Sequence, residues 1–348
     1  MFRLLNPTRR TATVAVGGMT VLTTVLGLSA MRVWADSITL ANGAVVKGCT
    51  IESATWKTVR YQVGKATQSK GGHEVLDLQR STDSRDLASG RKALEDGQFG
   101  LAVKRLSKVN GKAWEEAEAA YLLSEAHRGS GDLKAAEEQL ESYLANYEGA
   151  KDWWVPRAIY TLGIQRVKAK KFDLAVKTFK RLDDFVEPWA ARAKLGRAEV
   201  AVRGDREKVY VAVLKDLSGV ARSRRLPVDV REHAYVLRSE IFIRRKQNDR
   251  AIQDLKTRFF NSSKPTGYSS QRAAAMLLMG LAYRAKGGKE SLEKAEIWLL
   301  KVSALHRNEG DVYRRACAVL SEVYTELGRT NRAAEWRRRV ERQGKKTK

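Results

Sequence analysis

Residues 157–180 read RAIYTLGIQRVKAKKFDLAVKTFK, and the spacing inside this stretch decides the fold. Gly163 is followed twelve residues later by Ala175, and Phe179 comes one helical turn after that. Two antiparallel helices joined by a short turn would bring Gly163 and Ala175 to their crossing point. A large side chain at either place would hold the backbones beyond the close end of the usual 8–10 Å separation. Phe179 then falls on the apolar face of the second helix.

The same arrangement recurs along the chain. Gly90/Ala102, Ser124/Ala136, Ser239/Ala251 and Ser321/Ala333 keep the spacing of twelve. Gly280/Ala295 is stretched by residues around Gly288, and Gly196 has no small partner. Leu106, Leu140, Leu255 and Leu299 stand four after their alanines, as Phe179 does. Phe242, Tyr283 and Tyr324 follow the small residue by three places. Turn formers fall between the two members: Asp96-Gly97, Gly131-Asp132, Asn248-Asp249, Gly287-Gly288 and Gly328. Pro188 lies where a second helix should stop. From small residue to small residue the intervals are 34, 39, 33, 43, 41 and 41. The surplus is expected in longer helices and in connections, notably Arg222–Asp229 and Asn261–Ser270.

This pattern resembles the tetratricopeptide repeat (TPR), whose units are helical hairpins of 34 residues. The resemblance implies a mainly α protein: a right-handed α-solenoid of about six to seven TPR-like hairpins over residues 87–340. It also implies a concave face lined by first helices, on which partner segments bind. The family's groove positions fall here on Arg157, Tyr160, Lys168, Arg197, Glu240, Arg244 and Arg284. The competing reading is that these are solvated helix faces. The family's carboxylate clamp is absent, since the second repeat has Tyr121 and Glu125 where Lys and Asn are needed.

Before the repeats the pattern changes. Residues 36–79 alternate apolar and polar residues, which predicts a small β module of about four strands: Ser37–Leu40, Ala44–Ile51, Thr58–Val63 and Glu74–Leu78. Asn42-Gly43 marks a hairpin between the first two. The module is expected either as a cap on the first repeat or as a distinct element, and residues 80–86 read as a polar linker.

Residues 1–35 read as an export signal. Arg3, Arg9 and Arg10 precede a run from Thr11 to Ala30 with no charge, and Val33-Trp34-Ala35 offers a cleavage site before Asp36. An uncleaved anchor in the inner membrane is the alternative, because twenty uncharged residues are long enough to span. The expected location is therefore the periplasm or cell envelope. The chain carries 65 Lys and Arg against 40 Asp and Glu, a net charge of +25. Loss of residues 1–35 would remove four arginines and leave about +21. Cys49 and Cys317 lie at opposite ends of this layout and read as separate buried thiols.

No convergent catalytic set is visible. His73, His127, His233 and His306 are scattered without metal-ligand spacing. Ser291-Leu-Glu-Lys294 lacks the partner motifs of serine acylating enzymes. Gly287-Gly-Lys-Glu290 lacks the features of a phosphate loop. Glu115-Glu116 and Asp183-Asp184 are sequence neighbours and so do not share a helix face. The expectation is a non-catalytic scaffold without cofactor, whose partner is a protein or an acidic peptide segment. An anionic polysaccharide or lipid surface is the alternative partner, reached through the basic stretches around Arg222–Lys246 and in the tail, residues 341–348. Nucleic acid is disfavoured by the export signal.

Overall fold

The computed structural model describes residues 36–261, 270–307 and 310–346, the last four of these by backbone only. The export segment lies outside the described residues, as does most of the predicted Asn261–Ser270 loop.

A five-stranded antiparallel sheet comes first: β1 (Asp36–Leu40), β2 (Val45–Ala54), β3 (Thr58–Val63), β4 (Ala66–Gly71) and β5 (Val75–Gln79), in the order β4-β3-β2-β1-β5. Asn42-Gly43 makes the first turn, with Gly43 at φ +86° and the Asn42 carboxamide oxygen accepting from the Ala44 N–H. The first half of β2 pairs with β1 and its second half with β3 across a bulge. The sequence reading expects four strands; the extra one is β4. Its residues, Ala-Thr-Gln-Ser-Lys-Gly, carry no apolar alternation because it is an exposed edge. Ile38, Cys49, Ile51, Val59, Tyr61, Val75 and Leu78 form the core of the module.

Seven helical hairpins follow among the described residues. They are α1 (Arg85–Glu95) with α2 (Phe99–Leu106), α3 (Ala113–Gly129) with α4 (Leu133–Tyr147), and α5 (Val155–Lys168) with α6 (Phe172–Lys180). Next come α7 (Trp189–Arg203) with α8 (Tyr210–Arg222) and α9 (Val228–Arg244) with α10 (Asn248–Leu255). The series ends in α11 (Ser270–Lys286) with α12 (Lys289–Leu305) and α13 (Gly310–Glu326) with α14 (Thr330–Lys346). Each second helix packs on its own first helix and on the next one, and the first helices α5, α7, α9, α11 and α13 lie side by side in turn.

The crossing register follows the expected spacing. Ala102, Ala136, Ala175, Ala251 and Ala295 are fully buried. A Cβ placed on Gly90 or Gly280 would stand 2.5 Å from Leu106 or Leu299 respectively. At Gly163 and at Gly196 it would strike the ring of Phe179. Where serine takes the small position, the Ser321 hydroxyl donates to the Ala333 carbonyl at 3.0 Å and that of Ser124 to the Tyr121 carbonyl at 2.6 Å, while the buried Ser239 hydroxyl has no partner among the described residues. The turn within each hairpin holds a positive-φ residue, glycine at 97, 131, 287 with 288, and 328, but Lys170, Asp205 and Lys246 in the other three. Pro188 ends no second helix. α6 stops at Lys180, and Pro188 caps the start of α7.

The surplus residues have identifiable places. A 3-10 turn, Glu207–Val209, precedes α8, a π-turn, Lys256–Phe260, extends α10, and α12 runs for 17 residues. The 39-residue interval holds the α4–α5 connection, which docks the β module. Thr55 bridges to Asp152, the Trp56 N–H donates to the Lys151 carbonyl at 3.2 Å, and Trp153 packs on the module's core. Trp56 also meets Phe185, in the α6–α7 connection, at 4.3 Å between ring centroids. The apolar cluster of the first hairpin contains no described residue of the module. The module is thus an internal brace.

The polar segment 80–84 is tied down at both sides. The Asp36 carboxylate accepts from the Ile51 N–H at 2.6 Å, from the Ser81 N–H at 2.6 Å and from the Ser81 hydroxyl at 2.8 Å. Thr82 bonds Glu115, and Arg80 lies over Trp114 at 5.1 Å. Cys49 and Cys317 are both free and buried, one in the sheet core and one in α13. No described helix is long and apolar enough to cross a membrane.

Candidate functional site

Tyr160 stands one turn after Arg157 on α5, and Arg192 one turn after Trp189 on α7. Because the two first helices lie side by side, these four side chains share one surface. The β module faces them with His73, Val75 and Leu76. The space between them is a cleft of about 180 Å³, lined also by Trp153, Pro188 and Pro227.

The cleft is apolar and aromatic with two fixed cations. Arg157 lies over the Trp154 ring at 4.9 Å, and its Nη2 donates a long 3.4 Å hydrogen bond to the Leu76 carbonyl. Arg192 lies over Trp189 at 5.6 Å and over Tyr160 at 5.9 Å, and pairs with Asp229 at 2.8 Å. Its Nε–H is buried and has no hydrogen-bond partner. Stacking of this kind holds a guanidinium in place while leaving its edge free to bind. Burial pushes the Tyr160 phenol up to about 12, against the pull of Arg192, so it stays a neutral donor. Among the described residues no carboxylate lines the cleft.

Of the seven predicted groove residues, Arg157 and Tyr160 meet here. Lys168 is exposed at the far end of α5. Arg197 pairs with Asp183 in the α6–α7 connection at 2.6 Å. Glu240 is buried and pairs with Arg203 at 3.3 Å, and Arg244 bonds Asp205 at 2.8 Å while approaching Glu240 at 4.0 Å. Arg284 bridges to Glu322 and Glu326 of α13, the latter at 2.7 Å. These four cations and acids are joined to neighbouring repeats, so their charge is largely spent within the protein. Beside them the Glu199 carboxylate meets His233 at 3.1 Å and Arg203 at 3.2 Å. Burial alone would raise Glu199, but these partners hold it below the ordinary carboxylate value.

Sequence reasoning missed Trp189, Arg192, Trp153, His73 and Leu76. Arg192 carried a signal, being four before the small residue Gly196 on a first helix. The others depend on where the β module docks, which no periodicity encodes.

No family model matches the sequence, and no curated protein matches it. Solved structures are similar. A Rap protein, solved in complex with Competence and Sporulation Factor, is 15% identical over 74% of this chain and 75% of its own, with a TM-score of 0.51. A tetratricopeptide repeat protein from Parabacteroides merdae is 16% identical over 68% of this chain and 97% of its own, with a TM-score of 0.39. The chain has a TPR-type fold. In this TPR-type frame the first helices α5 and α7 supply one wall of the cleft, and the β module supplies the other.

Proposed function

We propose that this protein is a non-catalytic scaffold of the cell envelope that holds an acidic segment of a partner protein in the cleft between the β module and α5 and α7. The observation that carries this reading is the pair of stacked arginines, Arg157 and Arg192, in an aromatic cleft with no carboxylate among its described lining residues. Half-buried arginines with unpaired N–H groups bind carboxylates through charge-assisted hydrogen bonds, and aromatic walls add contact area at low entropic cost. Arg157 has no ion pair among the described residues, and Arg192, although it holds Asp229 of the next hairpin, keeps a buried Nε–H unpaired, whereas Arg244 and Arg284 each pair with two carboxylates.

Two sets of charge reversals test the assignment. Arg157→Glu with Arg192→Glu is expected to abolish capture of a partner cross-linked to the cleft. Arg244→Glu with Arg284→Glu is expected to lower stability while leaving capture in place. If removal of the tail after Val340 alone abolished capture, the basic C-terminus would be the binding element instead. Export is tested separately by sequencing the N-terminus of protein from its native host: a start near Asp36 is expected, and an intact Met1 on protein from the cytoplasm would overturn it.

A further inference from the structure

The cleft is bounded on one side by the margin of a β-sheet. β5 is the last strand in the order and pairs only with β1, through Ser37↔Gln79, Ile38↔Leu78, Thr39↔Asp77 and Leu40↔Val75. One row of its backbone N–H and C=O groups is therefore not taken up by a neighbouring strand. The two margins of the sheet differ in chemistry. β4 is protected in the usual way, with Thr67, Gln68, Ser69 and Lys70 and no large apolar side chain. β5 places Leu76 there instead, and half of that leucine's surface is exposed.

We propose that the partner segment binds as an extended strand added to the free edge of β5, with its acidic side chains meeting Arg157 and Arg192. This rests on the reading of the cleft given above and specifies the conformation of what enters it. Leu76 is the bulged residue of β5, since Thr39 pairs with Asp77 and Leu40 with Val75. Its carbonyl is turned to a guanidinium, not to a strand, and the 3.4 Å hydrogen bond from Arg157 is longer than a well-made one. An incoming backbone N–H would replace that donor and release Arg157 toward a carboxylate of the same segment. Five residues of β5 offer roughly 17 Å of edge at about 3.3 Å per residue. In an added strand alternate side chains point opposite ways, so acidic residues two apart would face α5 and α7 together. The occupant is thus an extended peptide with acids at alternate positions, selected by the two stacked arginines.

A fluorescein-labelled ten-residue peptide alternating Glu with Val and Thr is the probe, with a Lys-for-Glu version as control. The full chain is expected to bind the acidic peptide alone, and Arg157→Glu with Arg192→Glu to weaken it at least tenfold. Methylating every second backbone nitrogen of the peptide should abolish binding in one register and spare it in the other. Hydrogen exchange at Val75–Gln79 should slow in the complex, while the amides of β4 stay unchanged. Leu76→Glu, at an exposed position that leaves the sheet core intact, should reproduce the loss. Equal binding by both methylated registers, still lost with the arginine reversal, would overturn strand addition and leave the cleft reading standing. Failure of the acidic peptide to bind, or indifference to the arginine reversal, would overturn both.

Discussion

Phe179 lies over two glycines at once, Gly163 of its own hairpin and Gly196 of the next. One ring thereby sets the approach of both α5 and α7, the two helices that carry the cleft. Adding a single methyl at Gly163 should cost about 1–3 kcal/mol, the usual range for overpacking, despite alanine's better helix propensity. Phe179→Leu alone should also destabilise, by leaving a cavity. The double variant should recover part of the loss, and a positive coupling in a denaturation double-mutant cycle would confirm the contact. Additive losses would place Phe179 elsewhere. The turns yield a second prediction at this scale. Lys170 stands at φ +59° where Gly131 of the preceding hairpin stands at φ +86°. A left-handed conformation costs an L-residue roughly 1–2 kcal/mol, partly offset by glycine's greater freedom when unfolded. Lys170→Gly should therefore stabilise by up to about 1 kcal/mol and Gly131→Lys destabilise by about as much, read as opposite shifts of the melting temperature.

Adjacent hairpins are joined by ion pairs about one repeat apart in sequence. Glu137 of α4 holds Arg166 at 3.1 Å and Lys171 at 2.7 Å, both from the next hairpin. Burial alone would raise the Glu137 carboxyl, but these two cations hold it below its ordinary value. A carboxylate whose folded value is depressed stabilises fully above its unfolded value, roughly 4.3, and loses that contribution as pH falls through the folded value. Stability of the chain should thus decline below about pH 4.3, and Glu137→Gln should flatten that acid limb while lowering stability at neutral pH. An unchanged acid limb in the variant would show the link to be unimportant. Such pairs also mark the limit of what was legible in the sequence. The hairpins could be read because Gly163, Ala175 and Phe179 obey a local spacing, and that spacing is enforced within thirty residues. The Asn42-Gly43 turn is equally local. Strand β4 could not be read, since an edge exposed on both faces needs no apolar alternation. Arg244 and Arg284 were legible as first-helix cations, but not as partners of Asp205 and Glu322, whose approach depends on how hairpins of unequal length stack.

At the scale of the molecule the β module changes what a solenoid would otherwise do. In a linear array each hairpin touches its neighbours alone, and local damage stays local. Here Trp153 enters the sheet core from the α4–α5 connection, and Trp56 of the sheet reaches Phe185 in the α6–α7 connection. The Trp56 ring joins the same apolar cluster as Leu140, Tyr143, Ile159 and Leu182, so α4, α5 and the turn after α6 are clamped together through the sheet. Removing the clamp should therefore loosen α3–α7 as a group and leave the C-terminal hairpins untouched, because α11–α14 pack in a separate cluster. Trp153→Ala tests this. The side chain is only partly buried, so the loss should fall near 2–3 kcal/mol, short of the roughly 3–5 kcal/mol typical of a fully buried aromatic. Hydrogen exchange should quicken across β1–β5 and α3–α7 together, with α11–α14 unchanged. Acceleration confined to the sheet would mean that the module merely rests on the repeats. Acceleration throughout would mean that the chain unfolds as one unit, and the cleft would then owe its shape to the whole array instead of to the brace.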